Sequence, residues 1–98
     1  MNQSTIAFIQ CLKGAISFSR TVRGNRQRTA WERLIGYIES STSLAGFDKA
    51  AARAQGYAQA LVDSEQIDTK STERDLLIIA TIDAWRLHHI LSNIPATL

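Results

Sequence analysis

Residues 71–94 limit the folds open to this chain more than any other stretch. At 100° per residue, Leu76, Ile79, Ala80, Ala84, Leu87, Ile90, Leu91 and Ile94 share one broad arc, while Ile78, Ile82 and Trp85 form a second stripe nearly opposite. A helix that is apolar on two sides is covered on two sides. In a chain of 98 residues it is either the central helix of a bundle, or it packs its siblings on one face and a partner on the other.

The rest of the chain supplies the siblings. Over residues 4–22, Phe8, Cys11, Leu12, Ala15, Ile16, Phe18 and Val22 share an arc with Ile9 at its margin, and Gln10, Lys13, Ser17 and Thr21 lie opposite. This predicts an amphipathic helix in spite of Gly14, and no alternation supports a strand. The basic residues 21–28 contain Gly24-Asn25, which reads as a helix stop or a bend. Thr29 and Glu32 then offer a capping box that starts a second helix with the stripe Trp31, Leu34, Ile35 and Ile38. The competing reading is one long helix running through Gly24. After the serine-rich turn closed by Gly46, Asp48 can cap a third helix reaching about Ser64. Its inward stripe is Phe47, Ala51, Ala54, Ala58 and Leu61, with Ala50 and Tyr57 beside it. Small residues there permit close approach by a bulkier neighbour, and the last helix is the obvious one. Residues 65–70 are polar with Ile67 as their anchor. Thr72 with Asp75 resembles another capping box, and Pro95 follows the last turn. Breaks are therefore expected near 23–28, 42–46 and 65–71. Short connections favour antiparallel neighbours, so the expectation is an all-α, small four-helix bundle forming a single domain over 1–98.

Composition excludes several classes. With 45% apolar and 20% charged residues the chain is not of the disordered type. One cysteine, Cys11, cannot form an internal disulfide; it falls within the first apolar arc, where a thiol is inert, and it fits a reducing compartment. Apolar residues 6–12 follow polar residues and no positive charge, unlike a signal peptide. No run approaches the ~20 apolar residues of a membrane span. An intracellular protein without membrane contact is expected.

The net charge of +2 conceals an asymmetry: residues 1–31 carry +5 with no acid, and residues 32–98 carry −3. Arg20, Arg23, Arg26, Arg28 and Arg33 form the strongest candidate anion surface, since guanidinium makes forked contacts to phosphate or carboxylate. Slight overall basicity, and no interleaved aromatic except Trp31, favour a solvated helix junction instead. The five scattered glycines build no phosphate loop.

Asp83 sits within the main arc of the last helix and needs a partner there; Arg86, three residues on, is the nearest. His88 and His89 point roughly 100° apart on a helix and cannot share a metal. His89 instead joins Ile78, Ile82 and Trp85. No second acid or base at helical spacing makes Asp83 a general catalyst, and nothing near Cys11 would lower its pKa, so no enzymatic activity, cofactor or metal is expected.

The run Trp31-Glu32-Arg33-Leu34, followed by residues 50–58 (Ala-Ala-Ala-Arg-Ala-Gln-Gly-Tyr-Ala), resembles small helical proteins encoded by bacteriophages. The resemblance covers about a third of the chain, and it implies a virion component or a host-directed binder or inhibitor acting through surfaces, in the cytoplasm or in the virion. The leading expectation is thus a non-enzymatic protein-interaction module that contacts a protein partner or a second copy through Ile78, Ile82, Trp85 and His89, with Trp85 partly exposed in the protomer. The alternative is a nucleic-acid-binding protein that uses the arginines of residues 20–33.

Overall fold

The computed structural model describes residues 3–65 and 71–92, with Ser4, Ser71, Thr72 and Ser92 described by their backbone only. Four helices follow one another: α1 Gln3–Gly14, α2 Val22–Glu39, α3 Leu44–Asp63 and α4 Ser71–Ser92. Among the described residues α1 packs on α2 and α4, and α3 packs on α2 and α4, which closes a ring of four neighbours. Each neighbouring pair is antiparallel. The Phe8 ring meets Trp85, whereas Ala15, seven residues on, meets Arg74. Asp48 meets Arg86, while Gln59 shares a groove with Asp75. The chain is the expected all-α four-helix bundle.

Its core explains the pairing. Among the described residues, Leu12, Trp31, Ile35, Ile38, Phe47, Ile78 and Ile82 are the large side chains wholly removed from solvent. Each contributes about 1.5–3 kcal/mol of burial. The α3 stripe of Phe47, Ala51, Ala54, Ala58 and Leu61 is buried as its spacing requires, with Ala50 beside it. Ser43 caps α3, its hydroxyl accepting from the Gly46 amide at 3.0 Å, which moves the start five residues upstream of the expected Asp48. Trp31 ties three helices together. Its Nε1 donates to the Leu12 carbonyl at 2.8 Å near the end of α1, and its ring stacks on Tyr57 at 6.5 Å.

The first break lies at residues 15–21, not 23–28. α1 stops at Gly14; Ala15 and Ile16 remain buried from the connection, and Val22 is exposed. Thr21 is the N-cap of α2, extended at φ −104 and ψ 170, and its hydroxyl accepts from the Gly24 amide at 3.0 Å. Thr29, the expected cap, sits inside α2 and donates to the Asn25 carbonyl one turn back. Gly24 does not stop a helix; it lets α2 pass the preceding connection, because a Cβ there would overlap the Ser19 carbonyl. The second and third breaks fall close to their expected places. The expected Thr72 cap, the Ile67 anchor, Ile94 and Pro95 lie outside the described residues.

Candidate interaction surfaces

The two apolar faces of α4 are occupied in the opposite sense to the sequence expectation. Ile78 and Ile82 are buried and Trp85 is only 4% exposed, so the stripe expected to meet a partner is the bundle's own core. Trp85 stacks on Phe8 at 6.0 Å and meets the Phe47 ring edge-on at 5.7 Å. His89 is half-buried with its ring 5.6 Å from Phe47. The physical reason is volume. The alanine stripe of α3 leaves room that two isoleucines and an indole fill, whereas the broader arc holds two alanines and a carboxylate among its members. Two polar contacts fix the rotation: Arg74 Nε donates to the Ala15 carbonyl at 2.7 Å, and Arg86 Nε to Asp48 Oδ1 at 2.6 Å.

What this rotation leaves outside is the larger arc. Leu76 is 62% exposed, Leu87 57% and Leu91 58%, and Leu77, Ile79 and Ile90 are exposed as well. Ala80, Asp83 and Ala84 lie among them, also exposed. Large apolar side chains scattered singly are ordinary on a surface; six on two sides of one helical stripe are a patch. The expected Asp83–Arg86 pair is present at 2.6 Å. Arg86 also reaches Asp48 and lies 5.9 Å over the Phe47 ring. Its hydrogen bond to Asp48 is the main cause that raises its pKa above the usual arginine value, so the guanidinium stays charged. Asp48 as the second carboxylate was not read from the sequence; its place one turn into α3, opposite the end of an antiparallel α4, is the signal that finds it.

The arginines form a second surface, with changed membership. Arg20 lies in the connection before α2, and Arg28 is roughly 140° around the helix axis from Arg33. Arg26 and Arg33 line one shallow groove on the outer face of α2 with Val22 and Thr29, while Arg23 is exposed in the first turn of the helix without lining it. Beyond them exposed Tyr37 shares a second groove with Lys49 and Arg53 of α3. None of these five bases is in an ion pair among the described residues, and no acidic side chain lines either groove. Lys49 and Arg53 lie far from the arginine run in sequence, and only the antiparallel α2–α3 pairing brings them to this side. Their spacing of four on the polar side of α3 was the available signal.

Other candidates fare differently. Cys11, expected in the apolar arc, is exposed, because the inward side of α1 is set by Ile9 and Leu12. Among the described residues no group of three His, Cys, Asp or Glu is placed to hold a metal ion. His88, 5.8 Å from Phe8, and His89 line an aromatic groove at one end of the bundle with Thr5, Glu39 and Ser41. No described helix is long and apolar enough to cross a membrane. No protein-family model, curated protein or solved structure matches the chain, so its surfaces are read from geometry alone.

Proposed function

We propose that this protein is a non-enzymatic protein-interaction module whose contact is made by the outer face of α4. One observation carries the reading: a 22-residue helix whose inward side is filled presents six exposed leucine and isoleucine side chains on its other side. At about 200 Å² for a fully exposed residue of this size, their exposed fractions amount to roughly 600 Å², the upper end of what a monomer displays in one patch. A virion component or a host-directed binder would act through such a face. The test is affinity capture from lysate, with and without nuclease, for the wild type and for Leu76→Glu and Leu87→Glu. Capture that resists nuclease and is lost in both variants supports the reading; association of every kind indifferent to both variants ends it.

A second reading rests on the four bases that line the α2–α3 grooves, none of them in an ion pair among the described residues. Arg26 and Arg33 stand about 10 Å apart along α2, two helical turns, and Lys49 with Arg53 add a second row, which suits a phosphate backbone. Binding to a single-stranded oligonucleotide should weaken steeply with salt, and Arg26→Ala/Arg33→Ala/Arg53→Ala should lower both affinity and salt slope. Binding that is absent at low salt removes this reading.

A further inference from the structure

We infer that the occupant of the outer α4 face is a second copy of this chain, paired antiparallel about the Ala80–Ala84 turn. The inference rests on the proposed use of that face and names its partner. Leu76, Ala80, Asp83, Leu87 and Ile90 follow one another at spacings of four, three, four and three, the seam period of a helix that packs lengthwise against another helix. All five are exposed. Ile79 flanks the seam on one side, and Leu77, Ala84 and Leu91 flank it on the other.

The seam is self-complementary. Bulk sits at both ends, in Leu76, Leu77 and Ile79 and again in Leu87, Ile90 and Leu91, and the middle is small, with Ala80 and Ala84. A two-fold axis through the middle lets each bulky end cover the opposite end of the other copy while the alanines allow close approach. In this arrangement Leu76 faces Leu87 of the second copy. The available area agrees: roughly 600 Å² from six side chains, enlarged by the alanines and the rim, approaches the ~800 Å² per partner of a standard interface.

Charge selects the direction. Asp83 is the charged member of the seam, and a parallel two-fold pair would set it against its own copy. Antiparallel pairing with Leu76 on Leu87 sets it beside Ala80 of the other copy instead. It enters already neutralised, since Arg86 holds it at 2.6 Å within its own chain.

Sedimentation and light scattering at micromolar to hundred-micromolar concentration test the pairing. The wild type is expected as a dimer, and Leu87→Glu and Leu76→Glu as helical chains with dissociation constants raised on the order of 100-fold or more. Direction is tested in a Cys11→Ser background with a short bismaleimide: Ala80→Cys should cross-link between copies and Leu91→Cys should not, because antiparallel pairing puts the two copies of residue 91 at opposite ends. Cross-linking at both positions overturns the antiparallel arrangement. A wild type that is monomeric throughout overturns self-pairing; if Leu87→Glu then still loses a captured protein, the protein-interaction reading stands with a different partner. Loss of neither kind of association sinks both.

Discussion

Ile82 and Leu87 lie on opposite sides of α4 and give the sharpest measure of which side is inside. Ile82 is 0% exposed within the core, and Leu87 is 57% exposed. Truncating Ile82 to Ala removes three buried carbons and leaves a cavity that the surrounding core only partly fills, a loss of about 3 kcal/mol within the 2–5 kcal/mol usual for such changes. Leu87 has less than half its surface to lose, about 1 kcal/mol, and the higher helix propensity of alanine offsets part of it. Leu87→Ala should therefore cost less than about 1 kcal/mol. A chain of this length is stable by roughly 5–15 kcal/mol, so the difference is large against the total. Urea denaturation followed by far-ultraviolet circular dichroism at low micromolar concentration, where self-association contributes least, reads both. With a slope of about 1 kcal/mol/M, the midpoint should fall by about 3 M for Ile82→Ala and by less than about 1 M for Leu87→Ala. Equal losses, or the reverse order, would refute the rotation of α4 described above, and with it the exposed face on which the functional reading depends.

Trp31→Phe should lose about 2 kcal/mol, about one from the hydrogen bond to the Leu12 carbonyl and about one from the reduced volume, as measured by the same denaturation; an unchanged midpoint would detach Trp31 from the α1–α2 contact. Gly24→Ala should destabilise by 1–3 kcal/mol or more, since its Cβ meets backbone at Ser19, whereas Gly36→Ala, which meets nothing, should gain up to about 1 kcal/mol; thermal unfolding that ranks them the other way contradicts the passage of α2 past residue 19. Burial raises the Tyr57 pKa above the ordinary phenol value, so the folded chain holds this proton more tightly than the unfolded chain. That contribution is complete below about pH 10 and is lost as pH rises further, so wild type should lose more stability than Tyr57→Phe between pH 9 and 11; parallel curves would remove the effect.

The α3 stripe was legible because three alanines at one helical period, flanked by Phe47 and Leu61, carry it, although its cap, Ser43, stands five residues before the expected Asp48. The break between α1 and α2 was not. Thr29 with Glu32 satisfies the capping pattern, while the cap in use, Thr21, has a glycine where that pattern wants an acid. Glycine there signals close approach, and single-sequence periodicity contains no distances. The face of α4 was misread for a related reason. Counting apolar positions favours the arc of Leu76 and Leu87, but packing density depends on volume opposite volume, and the small α3 face calls for Trp85. The surface then follows by exclusion: the arc that packing does not use is the arc available to a partner. Lys49 and Arg53 show the remaining limit, since a charge row shared by two helices exists only once their pairing is known.

A helix with two apolar sides has two ways to lie against the same siblings, half a turn apart, and hydrophobic burial alone separates them weakly. Arg74 on the Ala15 carbonyl and Arg86 on Asp48 each have their partner in one of the two, whereas Asp83 turns with the helix and pairs with Arg86 in both. A surface ion pair and a single hydrogen bond of this kind add little to the depth of the native basin. Their effect falls on the competitor, which would leave the guanidinium groups against apolar neighbours and without those acceptors. Removing both arginines would thus broaden the ensemble before it lowers the melting temperature, with the indole resonance of Trp85 doubling or exchange-broadening while the helical signal persists.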